Sequence, residues 1–164
     1  MVEYIHLNPV RDGLVDQPLA WQWSTARDLV GAVADPWVSL DRLTAQLHRS
    51  PRSLLDQVLA GAWDGGTHCE PVVADLRALE TATCAALRRP PSSLRSRTPP
   101  ARAVFVDLAY RHGAPRADVL GEHLEIPARA VRMHIGRAPA PALAAAALCL
   151  RHPRLRPSPH GSSV

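Results

Sequence analysis

Residues 116–135 read RADVLGEHLEIPARAVRMHI, and the fold turns on how this stretch is read. Leu120 and Leu124 lie one helical turn apart, Ile126 follows after a break, and Val131 recurs beyond Pro127. That is the spacing of a helix-turn-helix with one small shared core. Gly121 lets the two helices approach closely, and Pro127 suits the first position of the second helix, where its missing N–H has no bond to lose. Arg129 and Arg132 then fall on the exposed side, with Arg137 just beyond Gly136. Guanidinium groups so placed can reach DNA phosphates or guanine edges in a major groove. A plain helical hairpin shares the Leu-x-x-x-Leu-x-Ile spacing and stays open as the alternative. Glu125 occupies the turn position where glycine is commoner, which leaves the turn geometry unsettled.

Outward from this unit, helix punctuation continues. Thr98-Pro99 opens a helix with Val104, Phe105 and Leu108 inward and Gly113 as its stop, a third member for the helical unit. The preceding RRPPSSLRSRTPP, residues 88–100, is rich in proline, serine and arginine and predicts an extended linker. Farther upstream, Ser39 precedes Leu40, Leu43 and Leu47 at helical spacing. Ser50-Pro51 caps a helix bearing Leu54, Leu55, Val58 and Leu59, and Pro71 opens a longer one through Val72, Leu76, Leu79 and Leu87. No stretch alternates at period two, so the fold class expected is all-α. The four tryptophans fall within the first 63 residues and the only phenylalanine beyond them, which predicts a different core for each half. The proline-punctuated tail, residues 151–164, has little to bury and is expected to be disordered. The divisions expected are therefore 1–36, a helical connector 37–89, a linker 90–100, a DNA-binding-like unit 101–150, and a basic tail 151–164.

Charge is distributed unevenly. Residues 1–87 carry 6 arginines against 11 acidic side chains, net −5, and residues 88–164 carry 13 against 4, net +9, which together make the +4 of the chain. A basic second half points to a polyanionic partner. All 19 basic residues are arginine, so codon bias accounts for the choice of arginine but not for the shortage of acids. Cys69, Cys84 and Cys149 form no close pair, which indicates neither a disulfide framework nor a zinc module. The longest apolar run, Ala142–Leu150, is too short to span a bilayer, and the first residues lack the pattern of a secretory signal. A cytosolic location without a membrane partner is the expectation, and a homodimer is left open.

The chain begins MVEYIHLNPVRDGLV. On a helix Tyr4 and Asn8 share a face, and Pro9 is expected to end that helix at Asn8. A phenol is a poor nucleophile at neutral pH, but beside a divalent cation it can attack a phosphodiester. The spacing alone is also ordinary for a helix end.

The run Tyr4-Ile5-His6-Leu7-Asn8-Pro9-Val10-Arg11-Asp12-Gly13-Leu14-Val15, followed by Trp21-Gln22-Trp23-Ser24-Thr25-Ala26 and Gly31, closely resembles the catalytic-helix region of the REP-associated tyrosine transposases, part of the single-tyrosine transposases of insertion sequences. The resemblance covers roughly residues 3–31, with Thr25 in place of a second serine. It implies a catalytic role for Tyr4, as attacker of single-stranded hairpin DNA, and a metal-ligand role for Asn8 toward Mg²⁺ or Mn²⁺. Arg11 would contact DNA phosphate, and His6 is read as a helix residue rather than a ligand. Residues 101–150 resemble the C-terminal DNA-binding domain of the chromosomal replication initiator.

The family also holds its metal with two histidines separated by one hydrophobic residue, on a strand upstream of the tyrosine, and no His-x-His occurs in this sequence. One amide oxygen cannot retain a hard cation. The expectation is thus a C-terminal portion of a transposase, with residues 1–36 a remnant of its catalytic domain, binding duplex DNA and not cutting it alone. Two alternatives stand beside it: a tyrosine subunit working in trans with a separately encoded metal-histidine domain, and a decayed product or helical interaction domain.

Overall fold

In a computed structural model, residues 2–59, 75–96, 100–113 and 116–156 are described; of residues 2–6 and 153 the backbone alone is described. The described residues are helical and contain no strand, so the all-α expectation holds.

Helix α1 (Val2–Arg11) runs through Pro9 instead of stopping at Asn8. The Asn8 carbonyl accepts from Asp12 N–H at 2.9 Å, and the Pro9 carbonyl from Leu14 N–H at 2.9 Å. One missing donor near the end of a helix removes one bond, and packing of α1 against later elements carries the last turn past it. Gly13, at φ +69°, ends the run. A 3-10 turn at Pro18–Ala20 and the short α2 (Ala26–Leu29) lead to α3 (Leu40–Leu47) and α4 (Pro51–Leu59). The expected caps are in place: Ser39 Oγ accepts from Arg42 N–H at 3.5 Å and Ser50 Oγ from Ser53 N–H at 3.2 Å. Leu54, Val58 and Leu59 are buried, as their spacing predicts.

Helix α5 (Leu76–Leu87) starts later than expected from Pro71, because Asp75 adopts an extended backbone and its carboxylate accepts from Ala78 N–H at 2.6 Å. Pro71 and Val72 lie outside the described residues. The expected extended linker contains a helical turn, α6 (Ser92–Arg95), with Leu94 buried. Pro90 and Pro91 stand before that turn, where no donor is required, so they permit it. Arg102 secures it by donating from Nε to the Leu94 carbonyl at 2.7 Å and from Nη2 to the Arg95 carbonyl.

Then follow α7 (Ala101–Arg111), α8 (Ala117–Leu124), α9 (Ala128–Arg132) and α10 (Ala140–Arg151). Thr98 and Pro99, expected to open α7, lie outside the described residues; Gly113, at φ +68°, closes it as expected.

The two halves do not have different cores. One contiguous set of buried side chains runs from Leu19, Leu29 and Leu54 through Leu79 and Ala86 to Phe105, Leu120 and Leu150. Its centre is α10 packed on α5 and α7. Small side chains face each other there, Ala82, Ala85 and Ala86 on α5 and Ala142, Ala145 and Ala146 on α10, all buried, and small residues permit close helix approach. Among the described tryptophans Trp21 is half-buried and Trp23 and Trp37 are 48% and 66% exposed, so these three do not make a core of their own; Trp63 lies outside the described residues. The tail is docked as far as Arg156: Pro153–Leu155 is a 3-10 turn and Leu155 is fully buried. Residues 157–164 lie outside the described residues.

Arg27 shows how the fold closes. Its side chain is fully buried, donating from Nη1 to the Leu19 and Leu155 carbonyls at 3.0 and 2.6 Å and from Nη2 to the Ala85 carbonyl at 3.3 Å. Burial pushes its pKa down, with the Cys149 sulfur at 3.7 Å among the groups that offset this. One guanidinium therefore ties three separate stretches of chain together.

Candidate nucleic-acid interface

The helix-turn-helix geometry is built from α8 and α9. Leu120, Leu124 and Val131 are buried and Ile126 packs on them, so the predicted shared core exists. Gly121 is required by contact: a Cβ there would stand 2.6 Å from the Ile126 carbonyl oxygen. Glu125 adopts φ +57°, the left-handed conformation in which glycine is commoner, and closes α8 through its N–H to the Glu122 carbonyl at 3.2 Å. Its carboxylate meets Arg95 Nε at 2.9 Å on the surface. Pro127 is the N-cap of α9 and not its first helical residue, with φ −60° and ψ 146°.

Helix α9 spans only five residues, so the presenting surface includes the turns that follow it. Arg129 and Arg132, three apart, share its exposed face, and Arg137 is exposed just past Gly136. None of these three forms a salt bridge with a carboxylate among the described residues. Met133 and Ile135, 61% and 43% exposed, stand among them.

The segment carrying Arg137 is pinned from behind. Asp107 on α7 is buried and accepts from Gly136 N–H at 2.6 Å and Ala138 N–H at 2.9 Å. Carboxylate bonds of this kind are stronger than neutral ones. His134 lies between these elements: burial first, then the cations Arg102 and Arg137, push its pKa down, and Asp107 partly offsets them. Behind α8, His123 Nε2 meets Glu80 Oε2 of α5 at 3.1 Å while its ring stacks on Phe105, with centroids 5.4 Å apart.

The remaining expected site residues lie elsewhere. Tyr4 and Asn8 are on α1, which packs mainly against α4 and the Pro18–Ala20 turn. The Tyr4 and His6 side chains fall outside the described residues; Asn8 is half-buried, and Arg11 is exposed at the end of α1, already engaged within the chain. Among the described residues no three His, Cys, Asp or Glu side chains gather as a metal site. Asn8 by itself supplies one oxygen, which does not fit the several oxygen ligands that Mg²⁺ takes. Cys84 and Cys149 are buried, their thiols pushed up to about 12 and about 11 by burial, so neither is a ready nucleophile; Cys69 lies outside the described residues.

A second polar cluster was not foreseen from the sequence. Arg88, at φ +51° past the end of α5, bonds Asp28 Oδ1 through Nη2 at 2.5 Å, and the two side chains are 6% and 0% exposed. Asp28 Oδ2 accepts from the N–H groups of Trp37 and Val38 at 2.8 and 3.1 Å, and the Arg88 guanidinium lies 4.4 Å from the centre of the Trp37 ring. The adjacent arginines Arg88 and Arg89 are visible in the sequence, but nothing there assigns Arg88 a partner 60 residues earlier.

No family model, no curated protein and no solved structure matches the chain.

Proposed function

We propose that this chain is a DNA-binding fragment related to the single-tyrosine transposases, holding duplex DNA through the arginines of α9 and the turns after it. The observation that carries this reading is Arg129, Arg132 and Arg137 exposed and, among the described residues, without carboxylate partners, with the turn that carries Arg137 braced by Asp107. A braced segment loses little conformational freedom when it binds, which favours affinity. Unpaired guanidinium groups displace counterions from the phosphate backbone. Met133 and Ile135 offer apolar surface beside them of the kind that contacts a thymine methyl group. The sequence resemblance at Tyr4, Asn8 and Arg11 supports the transposase relation. Tyr4 is proposed as the family nucleophile and Asn8 as the family metal ligand, with Arg11 as a phosphate contact. Strand cleavage belongs to a chain that also supplies a histidine pair.

A gel-shift titration with duplex DNA tests the reading. Arg129→Ala with Arg132→Ala is expected to weaken binding at least tenfold. Undiminished binding by that double variant would refute the placement.

A further inference from the structure

Helices α3 and α4 repeat the geometry of α8 and α9. Each pair begins with a helix of eight residues, Leu40–Leu47 and Ala117–Leu124, and each of these ends on a left-handed residue, His48 at φ 52°, ψ 42° and Glu125 at φ 57°, ψ 40°. The closing bonds coincide as well. His48 N–H donates to the Ala45 carbonyl and Arg49 N–H to the Thr44 carbonyl, as Glu125 N–H does to Glu122 and Ile126 N–H to Gly121. At one constant offset, Asp41, Leu43, Leu47 and Arg52 stand where Asp118, Leu120, Leu124 and Arg129 stand. Buried Thr44 and Leu54 likewise match buried Gly121 and Val131. Turn, register and burial agree together, so the same helix-turn-helix is built twice.

We infer that α3 and α4 form a second duplex-binding unit, with Arg49 and Arg52 on phosphate, so that one chain grips duplex DNA at two places. The ligand class rests on the duplex-binding reading of α9; the site shares no residue with it. Leu54, Val58 and Leu59 turn one side of α4 into the core, which leaves Arg52, Ser53 and Asp56 on its exposed side. Among the described residues Arg52 forms no salt bridge with a carboxylate, and Arg49 bonds only the neutral Gln57, at 2.8 Å to Oε1. In this motif the start of the second helix is the part that meets DNA, and Arg52 holds that position. Charge is concentrated to match: residues 39–59 hold three of the six arginines of residues 1–87 but two of its eleven acidic side chains. The unit is the weaker of the two, because Leu47 is 37% exposed where Leu124 is buried, and Asp56 lies one turn from Arg52.

The test is a fluorescence-anisotropy titration of a labelled duplex with the full chain in which Arg129, Arg132 and Arg137 are all alanine. Residual saturable binding is expected at low salt, weakened about tenfold or more when Arg49→Ala and Arg52→Ala are added. Arg49→Lys with Arg52→Lys should retain most of it, and Asp56→Asn should tighten it about twofold or more by removing a like charge from the phosphate contact. Thermal melts confirm that each variant is folded, as expected for exposed side chains. A complete loss of binding in the α9 triple variant would overturn the proposal while leaving the α9 reading intact. Residual binding indifferent to Arg49 and Arg52 would overturn it too. The converse result, wild-type affinity in the triple variant and loss in Arg49→Ala with Arg52→Ala, would refute the α9 reading and support this one.

Discussion

Arg27 is a cation with no carboxylate among its hydrogen-bond partners, held by carbonyls of Leu19, Ala85 and Leu155. Replacing it removes donors from buried acceptors, each loss costing about 1–3 kcal/mol. Arg27→Ala is therefore expected to destabilise the fold by on the order of 3 kcal/mol, read from the midpoint of urea unfolding; a loss below about 1 kcal/mol would show that those carbonyls find other donors. His134 sets a pH dependence. Its folded pKa lies below that of an ordinary imidazole, so the unfolded chain takes the proton more readily. Its contribution to stability is present above the unfolded value and is lost as pH falls through the lower folded one. The wild type should lose more melting temperature between pH 8 and pH 5 than His134→Gln; equal losses would remove His134 as the cause.

At the scale of elements, Gly121 and Glu125 bound the turn between α8 and α9. A Cβ at Gly121 meets backbone, which cannot rotate away, so Gly121→Ala should cost about 1–3 kcal/mol. Glu125 holds a left-handed backbone at a penalty of roughly 1 kcal/mol for a side chain with Cβ. Its exposed ion pair with Arg95 returns little. Glu125→Gly is accordingly expected to raise stability by roughly 0.5–1 kcal/mol in thermal unfolding, and a lowered melting temperature would contradict that.

Much of this scale was legible beforehand. The α8–α9 pairing follows from Leu120, Leu124 and Val131, and the α3 and α4 caps from Ser39 and Ser50, because capping and helical periodicity are local. The start of α5 at Asp75 and the turn at Ser92–Arg95 depart from the expectation because a proline neither fixes where a helix begins nor forbids one that starts just after it.

Across the whole molecule, local signals failed in an instructive way. The separation of the tryptophans from the one phenylalanine suggested two cores, but the alanine faces of α5 and α10 are chemically bland in sequence and become decisive only when apposed. Arg27 and Asp28 follow directly on the Trp-containing run, and nothing local marks their partners, which lie up to 128 residues away. The arginine face was legible residue by residue, since Arg129, Arg132 and Arg137 are exposed as expected, while the buried brace at Asp107 was not, because nothing in the sequence marks a carboxylate that will accept from the backbone of residues 136 and 138.

Duplex affinity as a function of salt tests the arginine face most directly. Each guanidinium on a phosphate contributes about 0.9 to the slope of log K against log salt concentration. Replacing Arg129, Arg132 and Arg137 together by alanine should flatten that slope by about one unit per residue that contacts phosphate, with weaker binding at low salt. A triple variant with the slope and affinity of the wild type would contradict the account.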